Sequence, residues 1–100
     1  MYNKYYVYII SNNFGSVYYT GVTNDLERRI QEHKEGIIPG FTKRYNCKKL
    51  IYFEEYSDIN QAIEREKKLK KLSRKNKDLL IDHLNPQRND LFEILSLRSV

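Results

Sequence analysis

Apolar and aromatic positions fall into short runs divided by polar punctuation, and the period within the runs changes along the chain. Residues 4–11, Lys-Tyr-Tyr-Val-Tyr-Ile-Ile-Ser, are mostly β-branched or aromatic, which suits a pleated surface buried on at least one side and predicts a strand. Asn12-Asn13-Phe14-Gly15-Ser16 supplies residue types that tolerate positive φ. A second strand-like run over 17–23 follows, so the pair reads as an antiparallel hairpin. Asn24 with Glu27 three positions later has the form of a capping box, and Leu26, Ile30 and His33 then recur at helical spacing up to Gly36.

Residues 36–48 contain Pro39 and Gly40 and keep no period, which predicts a loop rich in polar and basic side chains. Strand composition returns over 49–56. Asp58-Ile59-Asn60-Gln61 opens a longer helix reaching about Leu72, and a further helix is expected from about Ser73 to Leu84, stopped at Asn85-Pro86 because proline removes a donor and restricts the residue before it. Leu91, Phe92, Ile94, Leu95 and Leu97 lie close enough together for a terminal helix docked on the body. The order β-β-α-β-α-α, with a hairpin first, predicts an α+β fold: a small, mostly antiparallel three-stranded sheet flanked by helices.

Length adds that 100 residues and 12.1 kDa suit one domain over 1–100, with a motif-bearing core at about 4–84 and a C-terminal segment over 85–100. The longest apolar run has six residues, far short of the roughly 20 needed to span a bilayer, so no membrane is expected. It also lacks the form of a signal peptide. Cys47 is the lone cysteine, which excludes an internal disulfide and a cysteine-based zinc site and fits a cytoplasmic protein. The net charge of +5 is unevenly placed: residues 64–77 carry eight cationic side chains against Glu64 and Glu66, a balance of +6, and the rest of the chain nets −1. A basic surface of this kind is either a solvated helix face or a contact for a nucleic-acid backbone.

Three groups depart from plain packing. On a helical wheel Ile59, Ala62, Ile63, Glu66, Lys70 and Ser73 share one stripe, with Glu66 at its centre. A core-facing carboxylate needs a salt bridge, a hydrogen-bond network or a hard divalent cation to offset desolvation. Arg29 and His33 are four apart on a helix face that also holds Leu26 and Ile30, so the guanidinium either pairs with a glutamate or grips a phosphate. Tyr6, Tyr8, Tyr18 and Tyr19 fall on adjacent strands, where most tyrosines are cross-strand packing. No nucleotide-cradling glycine motif, nucleophile elbow or zinc-ligand spacing is present.

Together these residues resemble the GIY-YIG nuclease superfamily, and in particular its small stand-alone bacterial members related to the nuclease module of the excision-repair incision subunit. Tyr6-Val7-Tyr8 stands at the first motif and Tyr19-Thr20-Gly21 at the second, ten residues apart. Arg29 follows Gly21 by eight positions, His33 comes four later, and Ala62-Ile63-Glu64-Arg65-Glu66-Lys67 places Glu66 at the family's metal-binding glutamate. Gly40-Phe41-Thr42-Lys43 and Asn85-Pro86 look like the small members. Tyr6 replaces the first motif's glycine and Thr20 the second motif's isoleucine. The resemblance, over roughly residues 4–90, implies a divalent-metal-dependent endonuclease acting on nucleic acid, DNA ahead of RNA. Glu66 would hold Mg²⁺ (or Mn²⁺), and Arg29 would stabilise the pentacovalent transition state. Tyr19, with Tyr8 second, would orient or deprotonate water, and His33 would relay a proton or hold phosphate. The competing readings are a non-catalytic nucleic-acid-binding module and an idle scaffold docking a protein through the C-terminal apolar segment.

For binding, the expected phosphate contacts are Lys67, Lys68, Lys71 and Lys75, with Lys43 and Arg44 on the loop before the third strand. Each contact should contribute a slope of about −0.7 to −0.9 to log K against log salt. Replacing Lys68 and Lys71 together by Gln should flatten that slope by about one to two units and weaken binding alike for all sequences. Salt titrations of both proteins measure this, and an unaltered slope would leave the cluster a solvated face.

Overall fold

In a computed structural model, residues 3–98 are described. The elements run β1 (Tyr5–Ser11), β2 (Tyr18–Thr23), α1 (Leu26–Glu35), α2 (Phe41–Arg44), β3 (Lys49–Tyr56), α3 (Ile59–Lys71), α4 (Arg74–Leu84) and α5 (Phe92–Arg98). The three strands form one antiparallel sheet in the order β2-β1-β3, as the α+β reading expects. Two short elements add to the expected order. α2 is a single turn inside the segment read as a loop, where Pro39, Gly40 and four residues of helix are too brief for a period to emerge. α5 occupies the segment in which the sequence allowed a terminal helix.

β1 is central and buried on both faces, which is why its apolar run shows no polar alternation. Val7 and Ile9 face α3 and α4, joining Ile51, Tyr52, Ala62, Leu69 and Ile81. Tyr8 and Ile10 face the opposite way, toward Leu26 and Ile30 of α1, Cys47, Leu50 and Leu95 of α5. Pairing between β1 and β3 slips between Ile9 and Ile10: Ile9 opposes Tyr52 but Ile10 opposes Leu50. Ile51 is the extra residue, and this bulge sends Ile51 and Tyr52 to the same core.

Helix ends are set by named side chains. Asp25 caps α1 by accepting from the Arg28 backbone N–H, one residue later than the Asn24 cap expected. Gly36 closes α1 with φ of 69°, a conformation that favours glycine. Asp58 and Ser73 cap α3 and α4 by accepting from Asn60 and Asn76. The α3 stripe is rotated from the expected one: Ala62 and Leu69 are buried while Ile59 is exposed.

A polar cluster fixes α3 on β3. Arg65 donates through Nε and Nη2 to the two oxygens of Glu54 at 2.9 and 3.0 Å, and Tyr56 donates to Glu54 Oε1 at 2.6 Å. Tyr52 donates to the other oxygen. Burial alone would raise the Glu54 carboxyl, but the bonds from Arg65, Tyr52 and Tyr56 outweigh it and hold the group below its ordinary value of 4.5. A depressed carboxyl contributes stability in full above the unfolded value, and that contribution is lost as pH falls through the folded one. Glu54→Gln should therefore cost about 1.5–3 kcal/mol at neutral pH, the worth of charge-assisted hydrogen bonds. It should also flatten the loss of stability below about pH 4.5, which denaturant titrations at several pH values measure.

Candidate active site at the β1–β2 edge

Tyr8 is paired across the hairpin with Gly21. A Cβ on Gly21 would lie 2.5 Å from both Cζ and Oη of Tyr8, so only glycine lets this ring lie across β2. From that position the Tyr8 hydroxyl is 3.1 Å from His33 Nε2, and His33 Nδ1 is 3.1 Å from Thr42 Oγ1. The three side chains form a buried chain from β1 through α1 to α2, with Tyr8 only 2% and His33 only 4% exposed. Either tautomer of a neutral imidazole satisfies both bonds, one nitrogen donating and the other accepting.

Burial, reinforced by the nearby Arg29 guanidinium and only partly countered by Glu32, pushes His33 down to about 4. Burial is also the largest cause that raises the Tyr8 phenol far above its ordinary value, with Tyr19, Glu66 and Glu32 adding and Arg29 opposing. Tyr8 is thus a neutral hydroxyl held against a neutral imidazole. Arg29 on α1 and Glu66 on α3 lie within electrostatic reach of the Tyr8 oxygen, with opposite effects on it.

Arg29 projects from the partly covered side of α1, whereas Arg28 is well exposed. Arg29 Nε lies 3.6 Å from Glu32 Oε1 and is buried with no hydrogen-bond partner, so a strong donor is left unspent beside the site. Thr20 Oγ1, on the second motif, is likewise buried and unpartnered. Glu66 has a side chain 16% exposed and lies 3.4 Å from Lys70 Nζ, an i,i+4 pair on α3. Both physical expectations for Glu66, an inward carboxylate and an ion pair, describe it. Tyr19 stands over the open side, its ring centre 6.4 Å from Tyr8 and 6.1 Å from His33.

Next to Tyr19 an open cleft of about 370 Å³ is lined by Tyr18, Thr20, Phe41, Lys70 and Lys77. The structure therefore gathers Tyr8, Tyr19, Arg29, His33 and Glu66 around one edge of the sheet, with Lys43 and Arg44 exposed on neighbouring α2. Lys67, Lys68, Lys71 and Lys75 are exposed but do not line this cleft, where the lysines are Lys70 and Lys77. Sequence reasoning missed Thr42, which engages His33. A lone threonine in an aperiodic segment carries no signal of burial, and only the end of α1 and the turn of α2 bring it inward.

Among the described residues no group of three or more His, Cys, Asp or Glu side chains is placed to hold a metal ion. A single inward carboxylate fits Mg²⁺ or Mn²⁺ in a different manner, because Mg²⁺ keeps several waters and takes one or two carboxylates plus substrate phosphate oxygens. Among the described residues no helix is long and apolar enough to cross a membrane.

Comparison with known proteins gives the chain's family and supports its fold. Residues 4–78 match the GIY-YIG catalytic domain. A UPF0213 protein of Listeria welshimeri is 42% identical over 76 residues, covering 76% of this chain and 83% of that one. The UPF0213 protein YazA of Bacillus subtilis is 35% identical over 80 residues, 80% of each chain. The solution NMR structure of a UPF0213 protein from Bacillus halodurans aligns with a TM-score of 0.56 at 30% identity, covering 87% of this chain and 92% of that one.

Because His33 is driven down to about 4, its ring should stay neutral in the folded protein at pH 5.5, and ¹⁵N ring shifts measure this directly. The unfolded chain takes up that proton below about 6.5, so stability should fall as pH is lowered from about 6.5 toward 4. His33→Gln should remove this part of the dependence.

Proposed function

This chain belongs to the GIY-YIG family, and from that membership and the site's geometry we propose that it is a divalent-metal-dependent endonuclease hydrolysing phosphodiester bonds in nucleic acid, DNA ahead of RNA. The observation that carries the reading is the arrangement about Tyr8: Arg29, whose buried Nε makes no hydrogen bond, and the inward carboxylate of Glu66 lie within electrostatic reach of a hydroxyl bonded to His33. The Arg29 Nε has only a long ion-pair contact to Glu32 and no hydrogen bond, which leaves its donor capacity available. A developing negative charge on phosphoryl oxygens would engage it.

In this mechanism Arg29 faces the non-bridging oxygens and neutralises charge as the phosphorus becomes five-coordinate. Tyr19, on the open side, orients the attacking water through its phenol oxygen, and takes the water's proton only as the phenolate, its own proton having left to solvent. Tyr8, held protonated by burial, and His33, with both ring nitrogens engaged, position one another instead of gripping phosphate. Glu66 would hold Mg²⁺ or Mn²⁺, which when bound polarises the scissile phosphate and stabilises the leaving 3′ oxygen. Lys70 and Lys77 bind the backbone beside the cleft, and Lys43 and Arg44 extend that cationic margin.

Labelled single-stranded, duplex and branched DNA and RNA, incubated with Mg²⁺, Mn²⁺ or EDTA, test the assignment. Glu66→Gln should abolish metal-dependent cleavage. Its melting curve should move little, because the i,i+4 pair with half-exposed Lys70 is worth under about 1 kcal/mol. A loss of about 3–5 kcal/mol, the cost of breaking a fully buried pair, would instead make Glu66 structural. Arg29→Ala should slow single-turnover cleavage by about 10² or more with a smaller change in affinity. Binding that never leads to cleavage with any ion would favour a non-catalytic nucleic-acid-binding module.

A further inference from the structure

Beyond the proposed reaction centre, α2 and the residue that caps its C-terminus present two aromatic rings outward, neither part of the core clusters. Phe41 and Tyr45 are one helical turn apart, with ring centres 4.7 Å from each other, and Phe41 stacks on Tyr19 at 6.2 Å and 30°. They are 46% and 40% exposed. The ladder Tyr19–Phe41–Tyr45 thus runs from the catalytic tyrosine across the surface. Phe41 lines the cleft holding Lys70 and Lys77, and Tyr45 lines a second cleft of about 310 Å³ shared with Phe14 and Lys48. Phe14, on the hairpin turn, is 94% exposed.

Exposed aromatics gathered on one face mark a binding surface more often than chance exposure. Here the surroundings define the occupant. Neither cleft is lined by a carboxylate, and lysines lie along both. Arg44 also sits over the Tyr45 ring at 5.4 Å. Flat apolar rings alternating with cations suit a chain that alternates planar bases with phosphates. In a duplex the base faces are already covered by their neighbours, so only unpaired bases can lie on these rings.

We propose that Phe41, Tyr45 and Phe14 form a stacking platform for unpaired bases, with Lys48 and Lys70 on the flanking phosphates, and that this platform directs single-stranded nucleic acid to the site. The inference rests on nucleic acid being the substrate, as proposed above, and names its class. The strand runs along the ladder, its bases on Phe41 and Tyr45, and delivers a phosphodiester to Tyr19. An apolar protein segment is the competing occupant, and it would bind without reference to bases.

Equilibrium binding in EDTA, where no cut occurs, tests the platform apart from the chemistry. The probes are a labelled single strand, its duplex, and an abasic strand of equal length and charge. The wild-type protein should hold the single strand at least about tenfold more tightly than either other probe. Phe41→Leu and Tyr45→Leu should each weaken single-strand binding about five- to a hundredfold, the range of one base stacked on an aromatic ring, and leave the abasic strand unaffected. Since Phe41 also packs on Tyr19, Phe14→Ser at the exposed turn supplies a variant whose fold is not at risk, and it should act in the same direction. Equal binding of the strand and its abasic form overturns the proposal, as does equal binding of the duplex or unchanged affinity in both Tyr45→Leu and Phe14→Ser. Base-dependent binding in EDTA together with no cleavage when Mg²⁺ or Mn²⁺ is supplied would sink the nuclease reading and leave the platform standing.

Discussion

The absent side chain of Gly21 is the constraint on which the site depends. Tyr8 fills the space that a Cβ on Gly21 would enter, and from there alone its hydroxyl meets His33. The register of the hairpin is thereby tied to the Tyr8–His33 contact: a slip of one residue would set Thr20 or Val22 opposite Tyr8 and turn every ring to the other face. The fully buried neighbours Val7, Ile9 and Ile10 hold β1 against such a slip, so the same strand that supplies the core holds Tyr8 in place.

Charge is organised by depth. Arg65 and Glu54 neutralise each other between α3 and β3 with ordinary, fully bonded geometry, and this pins the helix that carries Glu66. Opposite that anchor, Arg29 has only a long contact to Glu32, and Glu66 shares a half-exposed lysine. The satisfied cluster belongs to folding. The loosely held pairs of Arg29 and Glu66 belong to the proposed site.

Much of this was legible in the sequence because the elements that build the sheet are long enough to declare their period. The hairpin, α1, β3, α3 and α4 were each visible from runs of apolar residues bounded by caps, and the shared stripe on α3 singled out Glu66 before its partners were known. What escaped is short or depends on distant contacts. α2 spans four residues and has no period, yet it carries Thr42 to His33 and Phe41 to Tyr19. The bulge at Ile51 follows from fitting β3 against two cores, and that requirement is not local. For His33 the family resemblance implies a proton relay or a phosphate ligand, and sequence does not reveal that both of its nitrogens are already hydrogen-bonded.

The stretch between α4 and α5 seals the far margin of the sheet. Asn85 Nδ2 donates to the Ile51 carbonyl, Asp90 Oδ1 accepts from the Leu50 N–H, and the Leu91 N–H donates to the Leu50 carbonyl. These bonds occupy backbone groups that an outermost strand otherwise offers to any passing extended chain. A shortened version ending with α4 at Leu84 would keep every proposed reacting group and the core residue Ile81 while uncovering part of β3. Bare strand edges of this kind invite strand-to-strand self-association, and the stretch following α4 keeps this one covered.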